Sequence, residues 1–157
     1  RVMANPVALE TWKTIGANAV PMAFPEVFPA LETKALDGQE NPLMNIHASK
    51  LYEVNKFISL TGHKYEMTPL LMSKRSWDRL SDADKKALQE AAAEATQLQR
   101  KLSKESDDKL IAELKAKGAQ INAVDKAAFA KGTSNVDDKW LASPIGPFLK
   151  KVIAAAR

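Results

Sequence analysis

The chain has 157 residues, 45% hydrophobic and 27% charged, a balance that allows a substantial core and one domain or slightly more. Its net charge of +4, from 23 Lys and Arg interspersed with 19 Asp and Glu, gives a mild attraction to anions and is too weak to argue for nucleic acid. Without cysteine there are no disulfides, thiolate chemistry or Cys-based metal sites, and no apolar run approaches the roughly 20 residues of a membrane-spanning helix.

The opening Arg1-Val2-Met3 has neither an initiator methionine nor the charged and apolar regions of a signal peptide, so the chain is expected to be processed or part of something longer. Arg1 to Met3 is predicted as a short strand. Asn5-Pro6 then opens a helix over Val7, Trp12 and Ile15 that stops at Gly16. Ala19 to Met22 is a second strand, and Phe24-Pro25 starts a second helix with Val27, Phe28 and Leu31 on one side. A polar turn follows over Leu36-Asp37-Gly38-Gln39-Glu40-Asn41-Pro42. Asp37-Gly38 is a turn signal, and Asn41-Pro42 reads as an N-cap and first helical residue for a third helix through Leu43, Ile46, Leu51 and Val54.

Strands alternating with helices predict an α/β fold with right-handed crossovers and a mostly parallel sheet. In such a sheet the turns after the strands gather at one edge, where ligands bind near helix N-termini. Asn5, Phe24 and Asn41 take equivalent places at that edge, and Arg1 on the first strand could reach it.

Further along, Lys56 to Thr61 and Lys64 to Ser73 read as extended segments around Gly62-His63, and Ser76 to Leu80 as a short helix whose Trp77 covers the core. Ser81 caps the longest element, with Asp82 and Asp84 in its first turn. From there a stripe runs through Leu88, Leu98, Leu102, Leu110 and Leu114 to Gly118, a span of about 54 Å. The stripe lapses over residues 103–108, so the helix is expected to cross two lobes. Gln120-Ile121-Asn122 is a further strand, and Asp125 to Lys131, Asn135 to Leu141 and Ile145 to Ala155 are helical pieces separated by Gly132 and Ser143-Pro144.

Arg1-Val2-Met3, the run from Gly16 to Met22, Phe24-Pro25-Glu26-Val27-Phe28-Pro29-Ala30-Leu31, Asp37-Gly38-Gln39-Glu40-Asn41-Pro42 and Leu60-Thr61-Gly62-His63 together resemble the second half of a TRAP-transporter solute-binding protein of the DctP family. The resemblance implies a two-lobed, signal-peptide-processed periplasmic receptor that closes on a small organic acid, a dicarboxylate or a sugar acid. It delivers that acid to the membrane subunits of the transporter without being membrane-embedded itself. It also implies a periplasmic-binding-protein-like second lobe over 1–66 and 107–157, with a long bridging helix and 67–106 packing on a first lobe. By the same resemblance Arg1 pairs bidentately with the ligand carboxylate, Asn41 bonds that group, Phe24 walls the pocket, and His63 lies near the ligand or its support. A planar guanidinium fork and a neutral amide donor are chemically suited to those parts.

Read on the residues alone, Arg1 is a solvated terminal side chain and Asn41 an N-cap. Phe24 is either wall or core, Asn5 is a cap, His63 a turn histidine and His47 a surface residue. Glu40 would repel an anion directly, so its expected work is to bond backbone or hold Arg1. No nucleophile or paired-carboxylate arrangement, phosphate loop or metal-ligand spacing is recognisable, so neither catalysis nor a cofactor is expected. The alternative to solute binding is an interaction module in which the helix 81–118 pairs with another chain.

Overall fold

The computed structural model describes residues 1–64, 66 and 68–155. At its centre two short strands, β1 (Phe57–Leu60) and β2 (Gln120–Ala123), pair in parallel, with Ile58 opposite Ile121 and Ser59 opposite Asn122. Parallel partners need a long crossover. Here it consists of α5 (Lys74–Asp78) and the 35-residue α6 (Asp82–Ala116).

The predicted strands at 1–3 and 19–22 contract to a single parallel bridge between Val2 and Pro21. The pairing consists of Val2 N donating to Val20 O at 3.0 Å and Met22 N to Val2 O at 3.4 Å, the two bonds that flank Pro21 and make no call on its nitrogen. The first helix forms as expected. In α1 (Pro6–Thr14), Asn5 Oδ1 accepts from the N–H groups of Val7 and Ala8, and beyond the helix Gly16 takes a φ of +91°. Phe24–Glu26 is a 3-10 turn leading into α2 (Val27–Glu32), which buries Val27 and Leu31.

The third helix departs from the prediction twice. Pro42, which has no capping side chain, holds the N-cap position of α3 (Leu43–Ala48), while Asn41 turns its amide to Gln39. Lys50, at φ +53°, then breaks the helix and a separate turn α4 (Leu51–Val54) follows. His47 is half-buried rather than free on the surface: its ring stacks on Tyr52, and its Nε2 lies 3.3 Å from Glu113 of α6.

Val27, Leu31, Ile46, Leu51, Tyr52, Ile58, Leu114 and Ala119 form the core, so α2, α3, α4 and β1 close over the C-terminal end of α6. That end carries Leu110 and Leu114, whereas Leu98 and Leu102 at mid-helix are more than half exposed. Ser81 caps α6 as expected, accepting from Asp84 N. The short helix α5 begins earlier than predicted because Ser73 caps it, and its Trp77 is half-buried. The second extended segment shows no strand among the described residues 64, 66 and 68–73, where Leu70 and Leu71 are about four-fifths exposed. Tyr65 and Met67, within that prediction, lie outside the described residues.

After β2, three helices follow as read: α7 (Lys126–Gly132), α8 (Ser134–Leu141) and α9 (Gly146–Ala155). An ion pair of 2.7 Å between Lys139 and Glu10 joins α8 to α1. Among the described residues no helix is long and apolar enough to cross a membrane.

Candidate functional site

A cleft of about 620 Å³ opens at the carboxyl ends of β1 and β2, the edge where parallel sheets place ligands. Arg1, Phe24, Glu40, Asn41 and His63 all line it, so five of the six expected residues converge on one space from well-separated parts of the chain. Asn5 does not line it; its side chain is used as the cap of α1.

Arg1 is anchored along its length. Its main-chain nitrogen donates to Gly38 O and its Nε to Met22 O, each at 2.8 Å, and its guanidinium lies 6.0 Å from the centre of the Phe24 ring. Nη1 is buried and has no hydrogen-bond partner among the described residues. A buried donor left unmade is costly, so this atom is chemically prepared to receive an oxygen. With Nε already engaged, the edge left for a bidentate carboxylate pair is the Nη1/Nη2 edge.

Glu40 reaches His63 and Lys64, with no ion pair to Arg1 among the described residues. Its side chain is only 8% exposed, with Oε2 at 3.3 Å from His63 Nε2 and Oε1 at 3.9 Å from Lys64 Nζ. Burial pushes this carboxyl upward, but the His63 hydrogen bond, with the charges of Lys64, His63 and Arg1, prevails and holds it below the ordinary carboxylate range. His63 is fixed on both nitrogens. Its Nδ1 is 2.6 Å from Thr61 Oγ1, and since an ionised carboxylate can only accept, Nε2 carries the proton toward Glu40. The Trp12 ring meets the imidazole edge-on at 5.1 Å.

Asn41 Nδ2 donates to Gln39 Oε1 at 2.6 Å, which leaves its second amide hydrogen for another acceptor. Lys126 and Asp107 also line the cleft and were missed in the sequence. For Lys126 the signal was present: it opens the helix after the strand at 120–123, the same edge position used to pick out Asn5, Phe24 and Asn41. Among the described residues no three His, Asp or Glu side chains group as metal ligands do.

The family of bacterial extracellular solute-binding proteins, family 7 (DctP), matches residues 1–143. The 2,3-diketo-L-gulonate-binding periplasmic protein YiaO of Escherichia coli K12 is 38% identical over 136 residues, covering 86% of this chain and 42% of the relative. A TRAP periplasmic solute-binding protein from Polaromonas, solved bound to D-erythronate, is 40% identical with a TM-score of 0.85, over 99% of this chain and 51% of that one. The periplasmic ectoine-binding protein of the TeaABC TRAP transporter of Halomonas elongata gives 27% identity and a TM-score of 0.86, over 95% and 52%. The chain thus spans about half the length of the proteins it matches. With a match that runs through nearly all of the described fold, the chain belongs to the DctP family of bacterial extracellular solute-binding proteins.

Proposed function

We propose that this chain is the second lobe of a periplasmic receptor that captures a small organic acid by its carboxylate, without catalysis, and passes it to the membrane subunits of a TRAP transporter. The observation that carries the reading is the buried, unpartnered Nη1 of Arg1, a residue that lines the cleft together with Phe24 and Asn41. Arg1 would hold the carboxylate on its Nη1/Nη2 edge, the remaining Asn41 hydrogen would bond the same group, and Phe24 would cover the ligand's apolar face. Glu40 and His63 would shape the charge next to that clamp. The names of the relatives, two of which bind sugar acids, support a sugar acid as ligand.

Residues 1–66 and 107–157 would form the lobe, and 67–106 would pack on a first lobe. The exposed Leu70, Leu71, Leu98 and Leu102 support that division, because apolar surface of this kind favours being covered. Closure of the two lobes is driven only by contacts the ligand makes better in the closed state than in the open one.

A thermal-shift screen on the two-lobed protein tests this, with D-erythronate, 2,3-diketo-L-gulonate and succinate as ligands. At a hundred times its dissociation constant a true ligand adds about 2.7 kcal/mol, several degrees at this size. Arg1→Met is expected to erase the shift and Asn41→Ala to reduce it. An equal response from both variants sinks the clamp. Association that rises with protein concentration and ignores every acid would favour the interaction-module reading of the exposed helix.

A further inference from the structure

We propose that Lys126 is a specificity-determining residue of the cleft, reading a second negative charge on the captured acid and so making the dianion the favoured ligand class. The inference rests on the carboxylate capture proposed above and deepens it.

Topology puts Lys126 where a ligand would be read. β2 ends at Ala123 and α7 begins at Lys126, so this side chain shares the carboxyl edge of the strand pair with Thr61, Gly62 and His63, which follow β1. Its stem lies across Gly62, where a Cβ would sit 3.1 Å from Nζ and 3.3 Å from Cε. Gly62 also holds a φ of +55°, so its missing side chain serves both the left-handed backbone and the seat for the ammonium.

The charges along the cleft separate Lys126 from its neighbours. Lys64 is met by the protein itself, at 2.7 Å from Glu66 and 3.9 Å from Glu40. Lys126 has no ion-pair partner within 4.0 Å among the described residues, and Asp107 on the same wall lies beyond that distance. Arg1 and Lys126 are therefore the cations whose charge the protein leaves for an incoming ligand. Their chemistry divides the work. The guanidinium fork fixes one carboxylate in plane, while an ammonium on a flexible stem meets a second anionic group whose position varies with ligand length.

Matched pairs isolate the second charge. Calorimetry on the two-lobed protein would compare succinate with succinamate, its near-isosteric monoamide, and galactarate with galactonate. The dianion should bind about fivefold more tightly than its partner at low salt, with the ratio falling as added salt screens the pair. Lys126→Gln should bring the two members of each pair to parity, and Lys126→Arg should keep the preference. Equal affinities in the unsubstituted protein, or a preference that persists in Lys126→Gln, overturn the role of Lys126 while leaving carboxylate capture standing. Failure of all four acids to bind overturns the capture itself and this inference with it.

Discussion

The two ends of α6 obey the same sequence rule and meet opposite fates. Near its C-terminus Leu114 is wholly inaccessible in the core it shares with α2, α3, α4 and β1, and Leu110 is buried one turn earlier, while Leu88 near the N-terminus is 44% exposed and Leu98 and Leu102 at mid-helix are more than half exposed. Both ends are cut from one amphipathic pattern, so the pattern alone states that a face favours cover and says nothing of what covers it. The buried end is held by long-range partners within this chain. The exposed end rests on local devices: the Ser81 cap, and the i,i+4 pair of Lys86 with Glu90.

Substitutions can break this contrast. Leu114→Ala removes a side chain from the closed core and should cost about 3 kcal/mol, roughly 6–12 °C in melting temperature, read by calorimetry or urea unfolding. A loss below about 1 kcal/mol would mean that the packed end is no firmer than the other.

A pH titration sharpens the contrast through charge. Glu40, beside the packed region, has its carboxyl held below the ordinary range, so the folded state favours its ionised form. Its contribution is complete above the carboxylate range of the unfolded chain, about pH 4.3. It disappears as pH falls through the lower folded value. Glu40→Gln should therefore flatten part of the acid limb of the stability curve. An acid limb unchanged by the substitution would remove this contribution of the packed region.

The smallest effect is expected from Leu98→Ala, within about 0.5 kcal/mol in this chain by itself. The same substitution should cost more in a two-lobed protein if another lobe covers that face. Equal costs in the two settings would leave the face uncovered.

Sequence reading succeeded where the deciding interactions are local. Asn5, Ser81 and Gly118 act within a turn of their own helices, and all three mark helix ends as expected. It failed where a distant or competing partner decided. Asn41 satisfies the spacing of an N-cap, yet the helix starts one residue later with Pro42 in the cap position, and Asn41 donates its amide hydrogen to the Gln39 side-chain oxygen. His47 has the position of a surface histidine until Tyr52 and Glu113 arrive from other elements. The strand forecasts at 1–3 and 19–22 shrank to one bridge, because only Val20 and Met22 meet Val2, a long-range pairing that local propensity does not set.

The convergence of Arg1, Phe24, Glu40, Asn41 and His63 was foreseen partly through the edge rule for parallel sheets and mostly through family resemblance. Composition and spacing could not have supplied it, since nothing local shows that Met22 O and Gly38 O would fix Arg1 in place. Lys126 escaped because the edge rule was applied to the first three helix starts and not to the one after the strand at 120–122.

Trp12 gives the cleft an optical consequence. Among the described residues it is the only one of the chain's three tryptophans in ring contact with a histidine of the cleft, edge-on to His63, whose nitrogens already engage Thr61 and Glu40. Indole emission responds to the charge and polarity of a neighbouring ring. Occupancy that moves the proton or the tilt of His63 would therefore be written into the fluorescence of Trp12, so the molecule carries its own dye for following capture in real time.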